Sequence, residues 1–416
     1  MIRPIIGYCL FLSLAFLLRR NRKTGLSKSW KSVVFGVLFQ VAVIFALTNL
    51  PLFVTGLEYV ANGVMKLKDA TVEGSKFVFG YIGGGDLPFD LKEGRSPFVF
   101  AFQALPTVII FGALAAILTY LKILPFLSKV VGYLFKLVFN VKDSIGIVAA
   151  AKIFVGQLEA PLLIKHKLSA LSRSDMFIIM TLAFATASAS VMPIYADAIS
   201  HVCPGAMKHM LISSFISVIS ALIICSLIMP SEENEFATME TSNPEPKPYS
   251  SFMEAMSKGL SDGAFVWWCI VGSLIGTVAL IAFVNYILAL FPDYAGSPIT
   301  LQKILGLIMY PFAWLIGVQN QDLTAVSEII GTKVALNEVI AFFDLAKANI
   351  SADSVIKTVY AINNFGNFSC IGITIGGLTA LAPGQKCITE IAWKSFGAGL
   401  LASGLTAALM GILLAF

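Results

Sequence analysis

Residues 149–163 read AAAKIFVGQLEAPLL, an apolar run that contains three polar residues. It places Lys152, Gln157 and Glu159 in an otherwise apolar run, where a polar group is costly unless it is paired. Gly156 permits a turn, and Pro161 suits the first turn of a returning half-helix. The stretch therefore predicts the tip of a helical hairpin inside a membrane, with a partly positive helix end beside the two acceptors. A polar turn at the membrane surface is the open alternative.

The composition is that of a membrane protein. Of the 416 residues 57% are hydrophobic and 13% are charged, whereas a soluble domain carries about 25% charged residues. The net charge of +5 gives no indication of nucleic-acid binding. The six cysteines and three histidines show no metal-ligand or redox spacing, so the sequence predicts no cofactor, no metal site and no enzyme.

A helix needs about 20 apolar residues to cross the hydrocarbon core. Eight segments meet or approach that length, namely 3–18, 33–54, 98–121, 174–200, 206–229, 263–290, 352–381 and 388–416. The basic cluster Arg19, Arg20, Arg22 and Lys23 follows the first segment, which predicts a cytoplasmic cluster and an external N-terminus. An even number of spans returns the C-terminus to the outside. The stretch 55–97 is expected to be an external loop.

Four further segments are neither loops nor complete spans. Residues 125–139 and 299–318 are interpreted as interfacial helices. Residues 143–171 and 319–349 are too polar at their centres to span, and each is predicted to form a re-entrant hairpin. The series span, interfacial helix, hairpin and two spans thus occurs twice, starting from opposite sides of the membrane. Such an inverted repeat is typical of secondary transporters, which bind substrate near the midplane.

The predicted fold class is an all-α integral membrane protein with about eight transmembrane helices and two re-entrant helical hairpins. An acidic, proline-rich stretch around residue 240 separates the two series. The predicted parts are the N-terminal scaffold helices with an external loop (1–97), the first repeat (98–229), a cytoplasmic linker (230–262) and the second repeat (263–416).

Three other apolar stretches have polar centres. In GTKVALNEVIAFF (331–343), Asn337 can cap a half-helix, and the following Glu338 can accept two ribose hydroxyls at once. The asparagines and glycine of AINNFGNFSCIGI (361–373) predict an unwound segment. ATASASVMP (185–193) predicts a second break or, alternatively, a helix-packing motif. We expect Gln157, Glu159, Glu338 and Asn367 to share one pocket.

Four stretches resemble the concentrative nucleoside transporter family in order and spacing, and these are FVFAFQALPTVIIFGAL (98–114), GQLEAP (156–161), TKVALNEVIAF (332–342) and FGNFSCIGI (365–373). The resemblance implies a homotrimer in the cytoplasmic membrane that imports nucleosides by alternating access. It implies that the base and ribose are bound by Gly156, Gln157, Leu158, Glu159, Val191, Glu338, Phe365, Asn367 and Cys370. Leu158 and Cys370 depart from the hydroxyl residues that are common in the family at these positions.

The resemblance also implies a coupling-ion site. Sodium-coupled members look to have an asparagine where Lys152 stands, a hydroxyl at the position of Thr186, and carbonyl ligands matching Val155, Ala187 and Ser188. The Lys152 ammonium would repel sodium at this site. Proton coupling is therefore predicted over sodium coupling. The remaining alternatives are a sodium symporter, an uncoupled facilitator, a nucleobase permease, and a lysine that snorkels to the membrane surface.

Burial disfavours the charged forms of both lysine and glutamate. Lys152, Glu159 and Glu338 are therefore the candidate proton carriers. A channel is disfavoured, because the sequence shows neither a selectivity filter nor pore-lining rings.

Overall fold

The computed structural model describes residues 2–19, 26–92, 97–230, 249–292 and 298–415. These residues form nineteen α-helices and no strand, which confirms an all-α membrane protein. Of the sequence predictions, the basic residues Arg20, Arg22 and Lys23 and the centre of the linker at 231–248 lie outside the described residues.

The first half of the chain contains α1 Ile2–Leu17, α2 Leu26–Asn49, α3 Pro51–Phe79, α4 Phe100–Gln103, α5 Thr107–Tyr120, α6 Ile123–Phe139, α7 Asp143–Ala151, α8 Glu159–Leu162, α9 Lys165–Leu168, α10 Arg173–Ala185, α11 Met192–Ala198 and α12 Ala206–Ile228. The second half contains α13 Phe252–Leu288, α14 Leu301–Leu315, α15 Leu323–Ala335, α16 Glu338–Lys347, α17 Ala352–Ile362, α18 Phe368–Leu381 and α19 Cys387–Leu413. Each predicted span overlaps at least one of these helices.

Five stretches of the described chain are long and apolar enough to cross a membrane, and these are Trp30–Asn49, Phe100–Tyr120, Ala206–Ile228, Phe252–Leu288 and Cys387–Leu413. All five overlap predicted spans. The first predicted span is the shorter helix α1, and the remaining two, 174–200 and 352–381, are each divided in the middle. The divisions fall at the polar centres that the sequence singled out.

The two series of elements use the same close contacts. In the first, α6 packs on α7 where Gly132 meets Gly146, and in the second, α14 packs on α15 where Gly306 meets Gly331. A Cβ atom added to Gly146 or Gly331 would lie 2.6 Å from backbone of the facing glycine, so neither contact has room for a side chain. The first spans of the two series, α5 and α13, also pack on each other.

The stretch 55–97 is not the loop that its place between two predicted spans suggested. Most of it belongs to α3, a long surface helix that starts at the end of α2. Two of its charged residues form ion pairs with other helices, because Lys68 lies 2.9 Å from Asp197 in α11 and Glu58 lies 3.0 Å from Lys208 in α12. These ion pairs attach α3 to α11 and α12.

Two other boundaries differ from the sequence prediction. The predicted linker 230–262 ends too late, because α13 begins at Phe252, where the Ser251 side chain accepts a hydrogen bond from the Glu254 N–H. The returning arm of the first hairpin is not one half-helix but the two short helices α8 and α9.

Candidate functional site

The two hairpin tips and the two divided spans surround one cavity of about 230 Å³. The structure brings together all nine residues predicted to contact substrate, and the cavity is lined by Gly156, Gln157, Leu158, Glu159, Val191, Glu338, Phe365, Asn367 and Cys370. Their role in binding stays a prediction. Their shared location follows from the fold, because each lies at or near a helix end or a break between helices, and these ends meet around the cavity.

The second hairpin presents a carboxylate to this cavity. Asn337 caps α16, and its side chain accepts a hydrogen bond from the Ile340 N–H at 3.1 Å. Glu338 is the first residue of α16 and is only 5% exposed. A capped helix start therefore holds a buried acceptor beside the positive end of the helix.

Two donors from other segments fix the orientation of that carboxylate. The Tyr195 hydroxyl donates to Glu338 Oε1 at 2.9 Å, and Asn367 Nδ2 donates to Glu338 Oε2 at 2.9 Å. Asn367 also caps α18, since its Oδ1 accepts from the Cys370 N–H at 2.9 Å. Glu338 thus connects the second hairpin to α11 and to the break before α18.

Sequence reasoning missed Tyr195. Its ring stacks on Phe342 with centroids 4.7 Å apart and an interplanar angle of 15°. Tyr195 lies in α11, the half-helix that starts after the first break and has Pro193 in its first turn. A tyrosine in a buried half-helix requires a partner for its hydroxyl, and that requirement was the signal available in the sequence.

The tip of the first hairpin is organised around Glu159. The Gly156 N–H donates to Glu159 Oε2 at 2.9 Å, which closes the turn. The Gln157 Oε1 atom is buried and has no hydrogen-bond partner among the described residues. Leu158 packs on α18, where a Cβ atom added to Gly377 would lie 2.3 Å from its side chain. The tip therefore presents one free amide oxygen and a carboxylate to the cavity, with an apolar residue between them.

The two breaks touch each other. The Phe365 N–H donates to the Thr186 carbonyl at 3.3 Å, and this bond joins the unwound segment 363–367 to the segment that follows α10. Ser188 and Ser190 share a hydrogen bond of 2.7 Å between their hydroxyls. Unwound backbone is tolerated at membrane depth when its polar groups are paired inside the protein, and the two segments supply some of these partners to each other.

Lys152 lies at the end of α7 and is 1% exposed, so it does not snorkel to the surface. Its ammonium is 5.6 Å from the centroid of the Phe365 ring and has no hydrogen-bond partner among the described residues. The other four predicted ion-site residues, Val155, Thr186, Ala187 and Ser188, are also buried.

Two of the groups predicted to bind sodium form hydrogen bonds within the protein. The Thr186 hydroxyl donates to the Leu182 carbonyl at 2.9 Å, and the Ser188 carbonyl accepts from the Val191 N–H at 3.2 Å. The described residues contain no group of three or more histidine, cysteine, aspartate or glutamate side chains placed to hold a metal ion.

Comparison with known proteins identifies the family. Three family models match successive parts of the chain: Na+ dependent nucleoside transporter N-terminus over 6–82, nucleoside recognition (gate) over 101–202, and Na+ dependent nucleoside transporter C-terminus over 209–411. Solute carrier family 28 member 3 of Mus musculus is 30% identical over 98% of this chain. The chain belongs to the concentrative nucleoside transporter family.

Two other relatives match this chain over nearly all of its length and of their own. An uncharacterized transporter of Haemophilus influenzae is 31% identical over 98% of this chain and 96% of its own length, whereas the mouse protein is matched over 58% of its length. The structure of CNTnw in an inward-facing substrate-bound state superimposes with a TM-score of 0.86 at 26% identity, covering 100% of this chain and 98% of CNTnw. The family resemblance is thereby confirmed, and the protein is a transporter and not an enzyme.

Proposed function

We propose that this concentrative transporter imports nucleosides across the cytoplasmic membrane by alternating access, in symport with protons. The observation that carries the substrate assignment is the Glu338 carboxylate, which is buried and oriented by Tyr195 and Asn367. A carboxylate only accepts hydrogen bonds, and its two oxygens have about four lone-pair sites. Two of these sites are left to accept the two adjacent hydroxyls of a ribose.

The opposite side of the cavity suits a nucleobase. Gln157 offers an unpaired amide oxygen, and Glu159 offers a carboxylate with one oxygen bonded to the hairpin backbone. Val191, Leu158 and the Phe365 ring supply apolar surface for the faces of a base. Because the Leu158 side chain cannot form a hydrogen bond, the base is recognised mainly by hydrogen bonds to Gln157 and Glu159.

A relative of this chain has been observed in both inward-facing and outward-facing states. CNTnw is known in an inward-facing substrate-bound state, and variants of it are known in outward-facing states with TM-scores of 0.85 and 0.88 to this chain. The site lies between two hairpins that could move together relative to α5 and α13. Alternating access follows from that arrangement more readily than a continuous pore does.

Proton coupling is proposed because the Lys152 ammonium is buried over the ring of Phe365, whose N–H donates to the carbonyl of Thr186, one of the residues that the family resemblance assigns to the sodium site. A second cation about 4 Å away would be repelled by about 4 kcal/mol at an effective dielectric constant of 20. A buried lysine without a hydrogen-bond partner is costly when charged, so loss of its proton during the cycle is favourable. Lys152 is thus the proposed carrier, with Glu159 and Glu338 as the acidic groups facing the same cavity.

The coupling ion can be tested with purified protein in liposomes. We expect an inward proton gradient to drive uptake of labelled uridine and adenosine, and a protonophore to abolish it. A membrane potential of 100 mV supports roughly fifty-fold accumulation when one charge moves with the substrate. A sodium gradient at constant pH should add nothing. Strong stimulation by sodium would overturn proton coupling, and uptake independent of both gradients would indicate a facilitator. Competition by free uracil would favour a nucleobase permease.

We also propose a homotrimer built on α13. This helix has 37 residues and is about 55 Å long at 1.5 Å per residue. Only 6% of the most apolar part of α13 is buried, against 89% for α12. Its exposed large side chains include Phe265, Trp268 and Phe283. The mass of the detergent-solubilised protein, corrected for bound detergent, should be three times that of one chain. A monomer at every protein concentration would contradict the proposal.

The proposed arrangement in the membrane keeps both termini outside and the linker 230–262 in the cytoplasm. The support is the excess of basic residues in the segments expected inside. The division into 1–97, 98–229, 230–262 and 263–416 is part of the same proposal, with the linker helix boundary moved to Phe252.

A further inference from the structure

Two buried lysines flank the unwound segment 363–367. Each hairpin carries one of them near the end of its first arm, since Lys152 follows α7 and Lys333 lies in the last turn of α15. Both are 1% exposed. Lys152 lies over the ring of Phe365, and Lys333 contacts the residues on either side of that phenylalanine.

The Lys333 ammonium forms two hydrogen bonds with the unwound segment. Its ammonium donates to Asn364 Oδ1 and, at 2.7 Å, to the Gly366 carbonyl. Asn364 Oδ1 also accepts from the Gly366 N–H at 3.2 Å, and Asn364 Nδ2 donates to the Ala361 carbonyl at 2.8 Å. The Lys333 ammonium therefore binds Asn364 and Gly366 directly, and Asn364 links it to the Ala361 carbonyl.

The contact between Lys333 and the unwound segment is connected on both sides to the proposed ribose site. From Lys333 the chain continues past the end of α15 to Glu338, the first residue of α16, while the segment that Lys333 holds leads directly to Asn367. Asn367 then donates to Glu338 at 2.9 Å. The position of Asn367 relative to Glu338 thus depends on how Lys333 holds the two residues before it.

A charged donor is suited to this place. A helix that unwinds leaves carbonyl groups without intrahelical partners, and within a membrane these must be paired inside the protein. An ammonium has three donors and no acceptor, so it can bind several oxygens as a metal ion would. It also places a positive charge near the buried Glu338, which reduces the cost of burying that carboxylate.

We propose that Lys333 is a positioning residue for substrate binding, acting as a tethered cation that shapes the unwound segment and sets Asn367 against Glu338. This inference rests on the proposed nucleoside site. Lys333 differs from Lys152 in that its ammonium is bound to protein oxygens, so its role is to hold the site and not to carry a proton.

The test compares uridine uptake by purified wild type and by Lys333→Met in liposomes. The methionine keeps the length and loses the charge. We expect KM to rise about tenfold or more, since hydrogen bonds to charged groups hold the segment, with a smaller change in the maximal rate. Lys347→Met, in the same hairpin but exposed, is the matched control and should leave both constants unchanged.

Chemical rescue separates positioning from bulk packing. In Lys333→Ala, methylammonium should lower KM toward the wild-type value, because it supplies a charged N–H donor. Tetramethylammonium has the same charge without a donor and should not. Equal rescue by both ions would overturn the hydrogen-bonding role, and an unchanged KM in Lys333→Met would overturn the inference as a whole.

A second variant covers failure of the lysine variants to fold, which gel filtration and thermal melting would reveal. Asn364→Ala removes one of the two acceptors and should raise KM in the same direction, so an unchanged KM there would again overturn the inference. If wild type itself takes up no nucleoside, the proposed function fails instead. The two failures are therefore distinguishable.

Discussion

Replacing Glu338 by glutamine is expected to slow nucleoside uptake by about 100-fold, because two donors that now meet a carboxylate would meet a neutral amide. Hydrogen bonds to charged groups contribute ~1.5–3 kcal/mol each, and about 1.4 kcal/mol corresponds to a factor of ten. A glutamine NH2 group that faces Asn367 Nδ2 would set donor against donor, and one that faces Tyr195 would make the hydroxyl an acceptor and leave its proton without this partner. Initial rates of labelled uridine uptake measure the effect.

Companion variants make this prediction specific. Tyr195→Phe removes one donor and leaves the stacking on Phe342, so a loss of about tenfold is expected. Glu328→Gln, in the first arm of the same hairpin and outside the cavity lining, serves as the control. If Glu338→Gln transports at the wild-type rate while the control does too, Glu338 is not part of the ribose site.

The four polar stretches identified in the sequence do come together in the structure. They could be predicted because a polar group in an apolar run has few structural explanations, and glycine, proline or a capping residue then marks the turn. Asn337, for example, caps α16 as its position before Glu338 suggested. The unwound segment at 363–367 was equally predictable, since three asparagines and a glycine seldom occur inside a span.

Other features depend on partners distant in the sequence. Tyr195 meets Glu338 across 143 positions, and Lys333 meets Asn364 across 31. The tyrosine hydroxyl requires some partner and the lysine is polar in an apolar run, but neither local signal identifies which residue that partner is. The helix α3 was missed for a related reason, since its charges are typical of a loop unless the residues that pair with them are identified.

The second large effect is expected for Lys152→Asn, which should convert the transporter from sodium-independent to sodium-stimulated uptake. The asparagine removes the buried ammonium and supplies an amide oxygen, which the proposed sodium site would use together with Thr186 and Ser188. A positive charge about 4 Å from a sodium ion would raise the cost of binding it by about 4 kcal/mol at an effective dielectric constant of 20, so its removal should raise the sodium affinity by roughly three powers of ten.

Uptake of labelled uridine is measured over a series of sodium concentrations, with choline replacing sodium at constant ionic strength. Wild type should give a flat response, and Lys152→Asn a saturating one. Lys165→Asn is the control, because Lys165 lies in the returning arm of the same hairpin and is exposed. It should behave as wild type does.

The Lys152→Asn variant also tests whether Lys152 carries the coupled proton. If Lys152 carries the proton, Lys152→Asn should lose its response to an imposed pH gradient while it gains the response to sodium. A variant that stays proton-driven would move the carrier to Glu159 or Glu338, which face the same cavity. A variant that gains no sodium response would contradict the proposal that the Lys152 ammonium takes the place of a bound sodium ion.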